Sequence, residues 1–241
     1  MKKNLHSPEN IFKEYVTDWQ TAFGREVEAI LLYGSAAAGE YIAGKSDINF
    51  LVMLTPAGMA KLREAVAITM KWRPRRVQVP RVLTREYLQA SLDSFPIEFL
   101  DMKLHHRVVF GVDPLADLQI SPQNLRLQLE RELKGNLLHL REGLLGAGHD
   151  RESLRDLLLR TIPAFAALFE AFLFLKNEPI PPTRQEIFQR TAALANLDGG
   201  FITNLFHLQK TSQRLYREEL WKLMEDYIAQ IEKLTMYIDR M

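Results

Sequence analysis

The feature that most constrains the fold is a change of sequence pattern near residue 120. Before it, short apolar runs of strand length alternate with amphipathic helical patterns. After Ser121 and Pro122 the strand pattern stops, and the apolar patterns that follow have helical spacing. A chain of 241 residues is long enough for two domains of ordinary size. The sequence therefore predicts an α+β domain over 1–118 and an all-α helical bundle over 121–241.

In the first part, strand and helix patterns are interleaved. Val27–Tyr33 and 48–54 are continuously apolar, which is typical of strands covered on both faces. Further strands are predicted at 77–83, 96–102 and 107–110, and helices at 8–23, 56–72 and 85–92. Elements in this order favour helices packed on a mixed sheet.

The second part reads as helices throughout. Leucines three or four residues apart from Leu125 to Leu144 predict a long first helix. The pattern over 154–176 is apolar nearly all round, so this helix is expected at the centre of the bundle, kinked by Pro163 or beginning close to it. Thr183 and Glu186 predict a capping box for the next helix, and an apolar seam over 220–238 predicts the last one.

Composition excludes several classes of function. Lys and Arg number 31 against 30 Asp and Glu, so the net charge of +1 provides no overall field for nucleic acid, which is not expected as a partner. The absence of cysteine excludes thiol nucleophiles and cysteine metal sites. The longest apolar run, 161–175, is shorter than the roughly 18–20 residues of a membrane span, and no secretory signal pattern occurs. We expect a cytoplasmic protein with no membrane partner, and a homo-oligomer remains open.

The chemistry concentrates between residues 34 and 49. The first predicted strand runs directly into Gly34 and Ser35, and a glycine followed by a hydroxyl and free N–H groups suits the binding of phosphate oxygens. Asp47 and Asn49 open the next strand two residues apart, so their side chains leave the same face. Two oxygen donors beside a phosphate cradle suit Mg²⁺ carrying a nucleoside triphosphate. Taken singly, a Gly-Ser turn or an Asp-x-Asn pair is usually only a loop or a strand edge.

This combination resembles the signature of the DNA-polymerase-β-like nucleotidyltransferases. In that family Gly-Ser is followed, about a dozen residues later, by Ser-Asp-x-Asp and an apolar strand. The chain looks most similar to small bacterial, aminoglycoside-type members, in which a helical domain follows the α/β domain. The specific motif covers residues 32–54. The resemblance implies phosphate binding by Gly34 and Ser35 and a metal-binding, catalytic carboxylate at Asp47. Ser46, within the same motif, is a further candidate for nucleotide binding, and Lys45 could lie over the phosphates or have only a surface role.

Asn49 departs from the family pattern, which has a second carboxylate at this position. An amide oxygen still coordinates a hard cation, but it brings no negative charge. The resemblance implies transfer of a nucleoside monophosphate from MgNTP to the hydroxyl of a small molecule or a protein. Asn49 keeps the alternative open, which is a degenerate nucleotide-binding or partner-binding module without transfer activity.

The third acid of the family lies on a later strand, for which 96–102 is the candidate. On a strand, Glu98 and Asp101 would point to opposite faces, so only one would reach the site. Glu98 opens an apolar run and is the preferred metal-binding and catalytic residue by resemblance, with Asp101 as the alternative. A third possibility is that both acids only line the edge of the strand.

Two further features of the sequence can each be interpreted in more than one way. The basic turn at 71–76, with Trp72 among its cations, could hold a triphosphate tail or an RNA backbone, but such turns are more often solvated loops. Glu170 is a lone charge among phenylalanines of the central helix. A buried carboxylate marks a site or forms an ion pair, here across the bundle, for instance with Arg160 or Arg190. The resemblance to the aminoglycoside-type members implies that such a site would hold a cationic acceptor.

Overall fold

Residues 7–210 and 215–241 are described by a computed structural model of the chain. The chain divides into two compact units, Met1–Ile120 and Ser121–Met241. The first unit contains a sheet and short helices, and the second is helical over its described residues. The predicted α+β fold class with a helical C-terminal region is confirmed.

The sheet of the first unit has four strands in the order β3-β2-β1-β4. They are β1 (Val27–Tyr33), β2 (Asn49–Leu54), β3 (Arg81–Leu83) and β4 (His106–Gly111). The central strand β1 runs antiparallel to both β2 and β4, whereas β3 is parallel to β2. The sheet is therefore mixed. Its two central strands, β1 and β2, are the two whose predicted bounds agree most closely with the structure.

The described residues of this unit, from Ser7 onward, contain five α-helices: α1 (Phe12–Phe23), α2 (Pro56–Met59), α3 (Ala65–Trp72), α4 (Arg85–Ala90) and α5 (Pro96–Leu104). A 3₁₀ turn over Pro8–Ile11 leads into α1. The single helix predicted over 56–72 is interrupted by a turn at 60–61 and a 3₁₀ segment, Leu62–Glu64. The third strand is shorter than predicted, because Pro80 has no N–H to donate to a neighbouring strand.

The strand predicted over 96–102 is wrong, because this segment is the helix α5. Pro96 occupies a first-turn position, where a missing N–H costs nothing. Phe99 and Met102, three residues apart, then bury their side chains in the same hydrophobic cluster as Leu31 and Leu51 of the sheet. A short apolar run fits a strand or a buried helix equally well, and contacts with the sheet decide between them.

The sheet is covered on both faces. On one face, α1 and α3 provide an aromatic cluster in which Tyr15 stacks on Phe50 with ring centroids 4.1 Å apart. Trp72 lies edge-on to Tyr15, and its indole N–H donates to the Asp18 carboxylate at 2.8 Å. On the other face, α5 packs on the sheet through Phe99. Strands β1 and β2 thus lie between two apolar layers, as their continuous hydrophobicity predicts.

The second unit contains α6 (Pro122–Ala147), α7 (Arg151–Leu175), α8 (Arg184–Leu194), α9 (Gly200–Lys210) and α10 (Arg217–Asp239). The Thr183–Glu186 capping box at the start of α8 is confirmed. Pro163 lies inside α7, twelve residues after its first residue Arg151. Helix α9 is an addition, since the sequence pattern predicts no helix between the one that Thr183 begins and the one over 220–238.

Helix α7 is longer than the apolar run that predicted it. By length and composition it is the one helix of the described residues that could cross a membrane. The sequence estimate counted only 161–175, whereas the helix begins at Arg151. In this structure Phe165 and Phe169 of α7 pack against Tyr227 and Phe188, as in the core helix of a helical bundle.

We expect Gly111→Ala to lower the free energy of unfolding of the first unit by about 3 kcal/mol, because it adds a clash to an unfavourable backbone angle. Gly111 has φ +80°, and a Cβ there would lie 2.0 Å from the carbonyl oxygen of Glu28. Gly24→Ala is the matched control, since Gly24 has φ +57° and open space around it. Gly24→Ala should lower the free energy of unfolding by about 1 kcal/mol. Urea unfolding, followed by tryptophan fluorescence, measures the free energy of unfolding of both variants. An equal decrease in the two variants would contradict a clash at Gly111.

Candidate functional site

The Gly34–Ser35 turn begins where β1 ends. Gly34 has φ +72°, a left-handed conformation that favours glycine, and it opens the 3₁₀ turn Gly34–Ala36. Its carbonyl accepts the N–H groups of Ala37 at 2.8 Å and Ala38 at 3.0 Å. The first N–H groups of such a turn, here those of Ser35 and Ala36, have no acceptor within the turn itself.

The backbone of Gly34 is fixed by the segment that follows α5. The Gly34 N–H donates to the His105 carbonyl at 3.2 Å, and Tyr33 pairs with His106 in the sheet. The N–H of Gly34 itself is therefore used within the fold. Gly34 would therefore contribute only its backbone conformation to phosphate binding. The hydrogen-bond donors would come from Ser35 and the residues after it.

Asn49 lies directly beside this turn. In the antiparallel register it is the partner of Tyr33, the last residue before Gly34. Its side-chain Nδ2 is 3.5 Å from the position that a Cβ on Gly34 would occupy. The structure therefore brings Gly34, Ser35 and Asn49 together, and Asp47 is two residues from Asn49 along the same chain segment.

The loop before β2 is held by its own hydrogen bonds. The Ser46 hydroxyl oxygen accepts the Ile42 N–H at 2.9 Å, and the Ser46 N–H donates to the Ile42 carbonyl, also at 2.9 Å. Ser46, predicted to bind nucleotide, thus has a structural role in closing the loop. The side chain of Lys45 is exposed.

Arg76 is the residue of this site that the sequence reasoning did not single out. Its guanidinium forms an ion pair with Asp47, with Nη2 2.9 Å from Oδ1. The same guanidinium donates to the carbonyl oxygens of Lys45 and, at 3.3 Å, Ser46. The only hint in the sequence was its place in the basic turn, four residues after Trp72. Asp47, predicted as a metal ligand, is therefore paired with a cation of its own chain.

Two other basic groups of that turn, Lys71 and Arg75, bind α1. Lys71 contacts Asp18 at 2.7 Å, and Arg75 contacts Glu14 at 2.7 Å. Hydrogen bonds from Arg75 and Lys71 hold the pKa of the Glu14 carboxyl below its ordinary value. Arg75 also lies over the ring of the buried Trp72, 4.6 Å from its centroid. These contacts support the reading of the turn as structural.

Glu98 and Asp101 both lie on α5, so the argument that they face opposite ways is wrong. Three residues apart on a helix, they are neighbours on one side. Both are half-buried. Asp101 is one turn before His105, whose carbonyl binds Gly34, and an Asp101 carboxylate oxygen lies within 4.8 Å of a His105 ring nitrogen. Glu98 is about 10 Å from His105 along the helix axis.

Glu170 is buried in α7, with 6% of its surface exposed. Arg190, one of the partners considered for it, binds Glu178 through a contact of 2.5 Å. Arg160, the other, donates to the carbonyl oxygen of Asp156 at 3.1 Å.

The donors around Asp47 fit a magnesium ion that arrives with a nucleotide. Mg²⁺ prefers hard oxygen ligands and commonly uses one or two carboxylates together with substrate phosphates. Asp47 is 43% exposed and meets Arg76 at one oxygen, while a carboxylate has two. Because Asn49 is neutral and Arg76 offsets Asp47, residues 47, 49 and 76 together have a formal charge of zero. The phosphates would therefore have to supply the negative charge.

The fold, with a small mixed sheet and a helical unit after it, is similar to that of a solved nucleotidyltransferase. A solved structure with this fold is the spectinomycin adenyltransferase AAD(9) from Enterococcus faecialis with ATP and spectinomycin. The similarity covers 91% of this chain and 99% of that chain, with a TM-score of 0.51 and 10% sequence identity. The resemblance predicted from the motif is thus confirmed at the level of the fold. No protein-family model and no curated protein matches the sequence.

We expect Ser46→Ala to speed hydrogen exchange of the Ile42 amide about fivefold, because the variant removes one net hydrogen bond of roughly 1 kcal/mol. Exchange read by nuclear magnetic resonance measures this directly. Ser94→Ala is the control, since the Ser94 hydroxyl bonds only its neighbour Asp93 among the contacts described. Unchanged exchange at Ile42 in Ser46→Ala would show that the hydroxyl does not hold the loop.

Proposed function

We propose that the protein transfers a nucleoside monophosphate from MgNTP to a hydroxyl group of an acceptor. One observation carries the proposal: the Tyr33–Asn49 pairing brings the Gly34–Ser35 turn beside Asp47 and Asn49. It is supported by the fold, which is shared with an adenyltransferase solved with ATP. A small molecule and a protein side chain are both possible acceptors.

The turn would bind the phosphates of the nucleotide. The N–H groups of Ser35 and Ala36 and the Ser35 hydroxyl are donors of the kind that bind phosphate oxygens at such turns. The exposed ammonium group of Lys45 would add a positive charge near the same phosphates. These residues orient the pyrophosphate part of the nucleotide as the leaving group.

Asp47 and Asn49 would hold the magnesium ion against the phosphates. When bound, the ion offsets the negative charge that builds up on the phosphate oxygens during transfer. Asp47 supplies the only full negative charge of this pair. The Asn49 side chain lies beside Gly34 and would bind the ion through its amide oxygen.

The transfer forms a bond from the acceptor oxygen to the α-phosphorus and breaks the bond from that phosphorus to the bridging oxygen of pyrophosphate. The acceptor proton goes to a carboxylate, and the leaving pyrophosphate takes the electron pair. Helix α5 would supply this carboxylate. Its placement favours Asp101 over Glu98, since Asp101 lies nearer to the residue that binds Gly34.

A second candidate function is nucleotide binding without transfer. The Asp47–Arg76 ion pair and the neutral Asn49 favour it, since both reduce the negative charge available to a metal ion. The two candidates share the binding site and differ in turnover.

We expect Asn49→Asp to tighten binding of MgATP about tenfold and Asp47→Asn to weaken it about tenfold, because each changes the charge at the cation by one unit. Isothermal titration calorimetry with MgATP and with each other MgNTP measures the effect. Ser94→Ala serves as a control outside the proposed site, since the contacts described for Ser94 are with Ser91 and Asp93. If both substitutions leave the affinity unchanged, residues 47 and 49 are not at the nucleotide site.

We expect the wild-type protein to release pyrophosphate from an NTP when an acceptor is present, and Asp47→Asn and Asp101→Asn each to lower the rate at least about 100-fold. Glu98→Gln is the matched control on the same helix and should keep most of the rate. A coupled pyrophosphate assay with aminoglycosides, polyols and protein hydroxyls as acceptors measures this.

The same assay distinguishes the two candidates. Turnover in Asn49→Asp with none in the wild type would support the nucleotide-binding module. A loss in Glu98→Gln and not in Asp101→Asn would reverse the assignment of the acid on α5.

A further inference from the structure

Arg76 has an unusual backbone position. It follows the 3₁₀ turn Arg73–Arg75 and has a left-handed conformation, with φ +61°. A residue other than glycine adopts this conformation at an energetic cost, which its surroundings must offset. The Ile48 N–H donates to the Arg76 carbonyl at 2.9 Å and so ties its backbone to the start of β2.

The side chain of Arg76 then reaches three consecutive residues of one loop. It donates to the carbonyls of Lys45 and Ser46 and pairs with the Asp47 carboxylate. The planar, forked guanidinium is suited to several acceptors at once, whereas an ammonium group is a point charge. Burial raises the pKa of Tyr41, and the positive charge of Arg76 opposes that shift, which places Tyr41 near the guanidinium.

An isolated ion pair this exposed would be weak. The side chains of Arg76 and Asp47 are 47% and 43% exposed, and such pairs contribute about 0–1 kcal/mol. Here the two carbonyl bonds and the fixed backbone already hold the guanidinium in place. The pairing with Asp47 therefore needs little further loss of side-chain entropy.

We propose that Arg76 is a positioning residue that keeps Asp47 in an ion pair and thereby makes divalent-cation binding depend on a nucleotide. This inference rests on the proposed function for the identity of the site. A divalent cation alone meets a neutral group of residues and competes with Arg76 for Asp47. A triphosphate adds negative charge for the cation and offers the guanidinium phosphate oxygens as alternative acceptors.

Binding of Mn²⁺ alone, measured by electron paramagnetic resonance of the free ion, tests the proposal without any turnover. Arg76→Met keeps the aliphatic stem and removes the charge. We expect it to bind Mn²⁺ about five- to tenfold more tightly than the wild type, as the loss of a competing unit charge near the carboxylate implies. Combining it with Asp47→Asn should remove the gain.

Two further variants test whether the effect on Mn²⁺ binding comes from the charge of residue 76 itself or from the loss of any positive charge nearby. Arg76→Lys retains the positive charge without the forked hydrogen bonds, so its Mn²⁺ affinity should lie between those of the wild type and Arg76→Met. Arg75→Met removes the same charge one residue away, where the guanidinium pairs with Glu14, and should leave Mn²⁺ binding unchanged. If Arg76→Met does not fold, as judged by circular dichroism, Arg76→Gln makes the same change of charge.

The outcomes distinguish this proposal from the proposed function. No gain in Arg76→Met or Arg76→Gln, a gain that survives Asp47→Asn, or an equal gain in Arg75→Met overturns the role of Arg76. If the wild type binds no MgATP but the gain appears and depends on Asp47, the proposed function fails and the Arg76–Asp47 coupling stands.

Discussion

The antiparallel pairing of β1 with β2 is the contact on which the rest of the first unit depends. Both strands are buried on both faces, so a shift of register by one residue would turn apolar side chains toward the wrong layer. The same register sets Tyr33 opposite Asn49. The position of the Gly34–Ser35 turn beside Asn49 therefore follows from the packing of the core. No further interaction is needed to bring these residues of the candidate site together.

The electrostatics of the site follow from three side chains. Asp47 is negative, Asn49 is neutral, and Arg76 is a cation 2.9 Å from Asp47. A pair of carboxylates attracts a divalent cation by itself, whereas these three side chains together have no net charge. The proposed transferase and the nucleotide-binding module thus share one physical requirement. In both proposals, the nucleotide would bring the negative charge that retains the metal ion.

Helix α5 shows how a change of secondary structure alters a functional argument. In a strand, Glu98 and Asp101 would lie on opposite faces of the sheet. The face that each side chain occupied would then decide which of the two acids reaches the site. In the helix they are neighbours, and their distances along the axis from His105 distinguish them. The carbonyl of His105 binds Gly34, so the C-terminal end of α5 is the end closest to the turn.

The sequence by itself determined the two central strands, the turn that follows Tyr33, the helical character beyond Ser121 and the spacing of Asp47 and Asn49. These are local properties of hydrophobic pattern, glycine and chain spacing, which need no distant partner. Only the tertiary structure decided that 96–102 is a helix and that Arg76 pairs with Asp47. Both depend on contacts between residues far apart in the chain: Phe99 must join the hydrophobic cluster of Leu31 and Leu51, and Arg76 must meet a loop about 30 residues earlier. A short apolar run and a cluster of cations do not specify their partners, because the fold alone sets which groups come within contact distance.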